Sequence, residues 1–454
     1  LAELLTVDAT SDFTHSGKQG QVVVDADLSK LFSQAGKPQP DKAAVDADVR
    51  VTNLPTMLLD TLADTEGLLL DAVGESMNIT AISVSEGAEK ISITANVTSP
   101  HLTANLPLLV TDRITLKPGE QGTATLDIAP ALRARYLKDL GYDVAVGQPV
   151  ALTIEQLNAP RPAEGEPFVQ PADTQLRAVA TVADVTVTDQ PNADSPIGPL
   201  AVPSGTVTIV GDKMDKPSVT ADLRVASTGG LVKQYVSRNM MAKLTANTTL
   251  NTDLKTGPIK VIVECRSLLR DGRDPLQSAD LTGTLAGDLT SFTLDQPGKV
   301  RYVVTDGVLA AEAGAATLAE PMPVDLVIES LSTPVSGFAL SGVKAKLAAA
   351  VEKAVLAGNQ QIAGTTMTGL TASVTVDGPA NTLAVNAKAK TQLPNEPKAG
   401  GLDVAGKLAK WLDAEAKPDI AKATGKVTAK ITDLPAAFVD ALAKQNGLDR
   451  KSVV

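Results

Sequence analysis

Ala43–Gly67 reads AAVDADVRVTNLPTMLLDTLADTEG, and this stretch decides the fold. In its first half Val45, Ala47, Val49 and Val51 alternate with Asp46, Asp48 and Arg50. One side is apolar and the other charged, which predicts a half-buried antiparallel strand. In its second half Met57, Leu58 and Leu62 recur at helical spacing. Asn53 is placed to cap that helix, Pro55 falls in the first turn where a missing N–H costs nothing, and Gly67 supplies a left-handed stop. Leu68–Val73 reads as a further short helical turn closed by Gly74. The unit is a strand followed by a helix that caps one end of a sheet.

The same unit occurs twice. Shifting the sequence by 380 residues aligns Leu28–Leu68 with Leu408–Leu448 without a gap, and fourteen of the 41 positions are identical. Among them are Lys37-Pro38, Thr52, Leu54-Pro55, Asp60, Leu62-Ala63 and Gly67-Leu68. About three identities are expected by chance, so this is an internal repeat. The strand pattern persists where letters change: Gly425, Val427, Ala429 and Ile431 answer Val45, Ala47, Val49 and Val51. The expected organisation is one β-rich module over 1–392, a junction at 393–401 and the start of a second copy over 402–454. With no initiator methionine and a repeat cut short at Val454, the chain is expected to be part of a longer protein.

Beyond this unit the period of two returns at Lys90–Thr98, Thr123–Ala129, Val150–Leu157, Gln175–Thr188, Gly205–Val210 and Ser218–Ala226. It continues at Ile259–Cys265, Ala279–Ala286, Val300–Thr305, Val324–Ser330, Leu370–Val376 and Leu383–Lys390. Pro118-Gly119, Asp306-Gly307 and Asp377-Gly378-Pro379 mark turns between strands. Many strands in series with short links predict an antiparallel meander rather than βαβ units. Three further helices are expected, at Ala131–Leu140, Leu231–Leu244 and Phe338–Leu356. The last carries an apolar stripe of Leu340, Val343, Leu347, Val351 and Val355. The fold class is therefore mainly β with a few short helices.

Composition narrows the function. Aromatic residues make up 2% of the 454, and the hydrophobic fraction of 43% comes mostly from Ala, Val and Leu. Such small side chains fill a deep core poorly, and suit a sheet with one covered face or a groove lined by small aliphatics. A net charge of −11 without any dense basic run argues against nucleic acid as a partner. No apolar run is long enough to span a bilayer. The single cysteine, Cys265, excludes an intrachain disulfide and reads as a buried thiol on the Ile259/Val261/Val263 face.

No catalytic signature is present. His15 and His101 stand alone without ligand spacing, so neither a metal site nor a cofactor is expected. There is no Gly-x-Ser-x-Gly elbow and no Walker loop. Asp46 and Asp48 lie on the charged side of a strand and read as solvated. Asp60 recurs as Asp440, and the reading of it is structural: an outer helix face, or bonds to nearby backbone.

Three phrases share a style of short strand, glycine turn, short strand. They are Leu281–Asp288 (LTGTLAGD), Val374–Pro379 followed by Leu383–Ala387, and Val207–Gly211 followed by Pro217–Leu223. In this they resemble the AsmA/TamB-type envelope proteins, and the Asn53-Leu54-Pro55-Thr56 step resembles the large AsmA-like repeat proteins of planctomycetes. The resemblance implies an elongated, strongly curved β-sheet forming a groove with an apolar inner face. It further implies a periplasmic location, an inner-membrane anchor outside this sequence, and association with phospholipid movement and outer-membrane assembly. Physically, alternate aliphatic positions would supply the wall that acyl chains need. The candidate wall residues are Val45, Val49, Val51, Ile91, Ile93, Val97, Val261, Val263, Val374 and Val376. Two other classes stay open: a structural or adhesive β-repeat protein acting as a spacer, and an enzyme whose site is assembled from distant residues.

Overall fold

A computed structural model describes residues 4–15, 17–33, 37, 43–63, 65–85, 90–137, 142–161, 171–189, 200–227, 239–250, 256–268, 274–304, 317–335, 339–357, 363–394, 396–419 and 422–433. The first strands are β1 (Leu4–His15), β2 (Lys18–Ser29) and β3 (Ala44–Pro55), followed by helices α1 (Thr56–Ala63) and α2 (Leu68–Val73). Then come β4 (Ser76–Ser85), β5 (Ile91–Thr98), β6 (Leu102–Val110), β7 (Arg113–Leu116), β8 (Gly122–Leu126) and helix α3 (Pro130–Leu137). The middle of the chain holds β9 (Tyr142–Val146), β10 (Val150–Pro160), β11 (Gln175–Asp189), β12 (Leu200–Gly211), β13 (Ser218–Ser227), β14 (Met240–Asn247), β15 (Ile259–Ser267) and β16 (Leu276–Leu285). It ends with β17 (Ser291–Leu294), β18 (Gly298–Val304), β19 (Thr317–Leu318), β20 (Met322–Pro334), β21 (Lys344–Ala357), β22 (Thr366–Asp377), β23 (Thr382–Gln392), β24 (Gly400–Ala409) and β25 (Thr424–Thr432).

All twenty-five strands join one antiparallel sheet, in which the long strands pair in sequence order. Short strands double up along the ladder. β7 and β8 lie end to end between β6 and β10, and β9 lies beyond β10 along β11. β17 and β18 do the same between β16 and β20, and β19 lies beyond β20 along β21. At about 4.8 Å per row the sheet extends on the order of 100 Å across its strands, the long ones of which run roughly 25–50 Å. Strand twist prevents so wide an open sheet from staying flat. The result is an elongated, curved sheet. Among the described residues β1 and β25 are its unpaired edges, so it does not close into a barrel.

The two interrupted regions are copies of one design. Seven of the twelve residues Pro149–Pro160 recur in Pro323–Pro334, among them Leu152, Ile154 and Glu155 as Leu326, Ile328 and Glu329. Gly122 faces Ile154, and Gly298 faces Ile328. The register slips after each isoleucine, leaving Glu155 and Glu329 as bulge residues. Each glutamate pairs with a base on the next long strand, Arg177 at 2.6 Å and Lys346 at 2.5 Å.

Several sequence expectations are corrected. Phe338–Leu356 is not a helix: a single 3-10 turn at Leu340–Gly342 precedes strand β21. Val343, Leu347, Val351 and Val355 are four apart, a spacing that fits a helical stripe and also keeps to alternate residues of a strand. Ladder bonds to β20 and β22 decide between them. The helix expected at Leu231–Leu244 is strand from Met240 onward, and 231–238 lie outside the described residues. Asn53 is no helix cap, because β3 continues to Pro55 and the helix starts at Thr56. Asn53 instead takes a left-handed φ of 51° at a register slip; its side chain donates to the Gln19 carbonyl at 2.8 Å, and its N–H reaches Asn78 Oδ1 at 2.9 Å. Gly67 and Gly74 do adopt positive φ, at 87° and 95°. Asp440 and the second copy of the helix lie outside the described residues.

Glycines within the strands let large neighbours lie flat against the sheet. A Cβ on Gly283 would sit 2.4 Å from the Phe292 ring and 2.5 Å from the Thr293 carbonyl oxygen, whereas one on Gly406 would meet nothing nearer than a Val427 methyl at 3.3 Å. Gly283→Ala is therefore expected to cost roughly 1–3 kcal/mol, by pushing β17 off β16. Gly406→Ala should change stability by less than half as much. Denaturant unfolding of the two variants side by side checks this.

Candidate functional site

Residues directly opposite one another in an antiparallel ladder share a face of the sheet. Following opposed residues from strand to strand therefore traces that face. From β2 to β16 the line runs Val22, Val51, Ile79, Val97, Ala104, Ala124, Leu152, Ala180, Val207, Ala221, Leu244, Val263, Leu281. One position along β15 and β16 it continues as Cys265, Ala279, Val300, Leu326, Ala349, Ala372, Ala387, Val404 and Ala429. Apart from the thiol every member is aliphatic, and none is charged.

All ten candidate wall residues fall on this face. Val45, Val49 and Val51 lie on β3, opposite Leu28, Val24 and Val22. Ile91, Ile93 and Val97 lie on β5, Val261 and Val263 on β15, and Val374 and Val376 on β22. The structure brings them into one surface, though at four separate places along it. All ten are half-buried: neither sealed in a core nor fully open. A sandwich would have enclosed such side chains completely. The large apolar side chains left exposed on interior strands, Ile82, Val84, Met241 and Ile262, point instead to the opposite face, at 38–55% exposure. The uncharged face is thus crowded by its own neighbours, as on the inside of a bend, and no second layer lies over it among the described residues.

Sequence reading missed part of this wall. On β4 serines dilute the alternation, in β6 the run Leu108-Leu109-Val110 hides it, and β21 was expected to be a helix. Ile79, Leu106, Leu108, Leu347 and Ala349 belong to the face all the same. Their only sequence signal was an aliphatic residue at every second position, and the ladder was needed to read it.

The opposite face carries the charge. Arg50 bonds Asp48 Oδ2 at 2.5 Å, and its guanidinium pKa is raised by that bond, with a weaker contribution from Asp25 at 4.0 Å. Two shallow depressions also lie there. One, of about 440 Å³, has Ala348 and Ala350 in its floor and Asp325, Asn386 and Lys388 at its rim. The other, of about 140 Å³, sits among Asp222, Met241, Lys243, Glu264 and Arg266. Cys265 is a free, half-buried thiol whose pKa is pushed up by burial, which disfavours a thiolate nucleophile. Among the described residues no group of His, Cys, Asp and Glu could hold a metal ion, and no helix is long and apolar enough to cross a membrane.

The helices form a cap at one end of the early strands, fastened by Asp60. This carboxylate is 6% exposed and accepts from the Thr65 hydroxyl, the Gly67 N–H and, at 2.9 Å, the Leu69 N–H. Burial pushes its pKa up, but the hydrogen bonds from Thr65, Leu69, Gly67 and Leu70 outweigh that and hold it below the ordinary aspartate value. Arg135 of α3 closes the cluster, reaching Asp71 Oδ2 and the Glu66 carbonyl, each at 2.7 Å. The expectation that Asp60 bonds nearby backbone describes what it does.

Comparison with known proteins adds no relative: no family model, no curated protein and no solved structure matches the chain.

Proposed function

We propose that this protein is a non-enzymatic envelope protein that binds phospholipids, or other acyl-chain lipids, against the uncharged face of its sheet. It conducts them along that face between the inner and outer membranes and so contributes to outer-membrane biogenesis. The observation that carries this reading is the uncharged line from Val22 to Ala429, aliphatic but for Cys265 and mostly half-buried, with no second layer over it among the described residues. Acyl chains gain about 0.8 kcal/mol for each methylene taken out of water, and a wall of small aliphatics accepts them without selecting their shape. Head groups would stay in water beyond the strand ends. On this reading the protein works in the periplasm, held to the inner membrane by a segment outside this sequence.

The test is native extraction followed by mass spectrometry of co-purified lipid, with uptake of a fluorescent phospholipid by the purified chain as the second measurement. Lipid at or above one molecule per chain is expected. A chain that carries none and takes up none is a spacer, which the repeated construction also suits, and the conduit reading should then be dropped.

A further inference from the structure

The two copies of the repeat keep one face of the sheet and reverse the other. Ladder register equates β2–β3 with β24–β25 at a displacement of 380, since Gln21↔Thr52 to Ser29↔Ala44 returns as Gly401↔Thr432 to Ala409↔Thr424. On the uncharged face Val22, Val24, Val49 and Val51 become Leu402, Val404, Ala429 and Ile431, aliphatic for aliphatic. On the charged face Asp27 and Asp46, directly opposite one another, become Lys407 and Lys426, again directly opposite. The preceding strand follows suit: Asp12 opposite Gln21 is answered by Lys390 opposite Gly401. The charged face of β1–β3 thus carries Asp8, Asp12, Asp25, Asp27, Asp46 and Asp48 against Arg50. That of β23–β25 carries Lys388, Lys390, Lys407, Lys426 and Lys430 against Asp403. Between the two, β4, β5, β6 and β8 contain no charged residue.

Folding does not ask for this arrangement, because like charges directly opposite in a ladder destabilise it. Arg50 relieves Asp48 and Asp25, at 2.5 and 4.0 Å, and Asp403 relieves Lys388 at 3.3 Å. Asp46, Lys407 and Lys426 have no such partner among the described residues. We infer that the two faces dock on one another between copies of this chain, the lysine face of β23–β25 lying on the aspartate face of β1–β3 of a second copy. Packed sheets lie about 10 Å apart, within reach of lysine and aspartate side chains extended from the two sides. The contact does not form within one chain, because the charged face is the outside of the bend and its two ends turn away from each other. Lysine face on lysine face, or aspartate on aspartate, would set like charges together. The contact joins two different surfaces and so can propagate head to tail. The inference stands on register and charge and does not depend on lipid binding.

Sedimentation velocity of the whole chain at low and high salt tests it. Self-association is expected at low salt and should weaken at least about tenfold at high salt, where the charges are screened. Asp27→Lys with Asp46→Lys, which makes both ends basic, should abolish self-association, and so should Lys407→Asp with Lys426→Asp, which makes both ends acidic. Mixed together, these two variants should associate again. Asp27→Asn with Asp46→Asn removes the like-charge contact within the ladder. It should associate at least about tenfold more weakly than wild type yet unfold at the same or a higher denaturant concentration, which separates docking from folding. A wild-type chain that stays monomeric at low salt, association that salt does not weaken, or a mixture that fails to associate would each overturn the inference. Association lost on reversing the lysines but kept on reversing the aspartates would put a different anion on the lysine face, and would overturn it as well.

Discussion

Replacing Asp60 by alanine is expected to unfasten the helical cap while leaving the sheet standing. The carboxylate takes hydrogen bonds from one hydroxyl and at least two backbone amides within the turn that joins α1 to α2. Neither helix exceeds eight residues, too short to persist without tertiary support. Alanine would leave those donors without their acceptor, at a cost of roughly 2–4 kcal/mol. Exchange of the amides across Thr56–Val73 should accelerate far more than exchange in β13–β16, farther along the sheet from the cap. The sign of the pH dependence follows from the lowered pKa of Asp60. The stabilisation is fully present above the unfolded value near pH 4 and is lost as pH falls through the lower folded value. Asp60→Asn, which keeps one acceptor oxygen, should fall between wild type and alanine and should lose the acid sensitivity of this region. Unchanged exchange in Asp60→Ala would mean that packing of α1 and α2, rather than this carboxylate, holds the cap.

The repeat that exposed Asp60 was legible because it is written in letters, and the strands were legible where Val and Ile alternate with Ser, Thr and Asp. What stayed hidden has physical causes. A run such as KAKLAAAVEKAVLA satisfies helical and extended spacing together, and its alanines favour a helix in isolation. Only the strands on either side, pairing Ala345 with Val376 and Leu347 with Val374, make it β21. Asn53 suits a helix cap by residue type, yet Asn also tolerates the left-handed conformation found at this register slip. The copied design, with bulges at Glu155 and Glu329, rests on a dozen residues whose meaning appears only when Ile154 and Ile328 are seen facing Gly122 and Gly298 across the ladder. For the candidate wall, alternation placed its residues on one face. It could not say whether a second layer covers that face, since the same side chains would line a sealed core equally well.

Lipid on the uncharged face is the source of the other large expected effect. Val263 lies at the middle of the uncharged face, between Leu244 and Leu281, while Ile262 beside it on β15 points to the charged face and is 40% exposed. Val263→Asp puts a carboxylate into the aliphatic line, where hydrating it means withdrawing neighbouring surface from any bound chain. Losing contact with about three or four methylenes at 0.8 kcal/mol each removes roughly 3 kcal/mol, on the order of a hundredfold in affinity. Phospholipid uptake by Val263→Asp should fall by about that factor. Ile262→Asp, one residue away on the same strand, should bind as wild type, and both variants should unfold within about 2 kcal/mol of it because neither site is fully enclosed. The pair separates a lipid wall from a merely apolar protein: the same charge on adjacent residues changes uptake only if lipid lies on one side of the sheet. Equal loss in both variants would place the lipid elsewhere, and no loss in either would leave the aliphatic face as a consequence of folding alone.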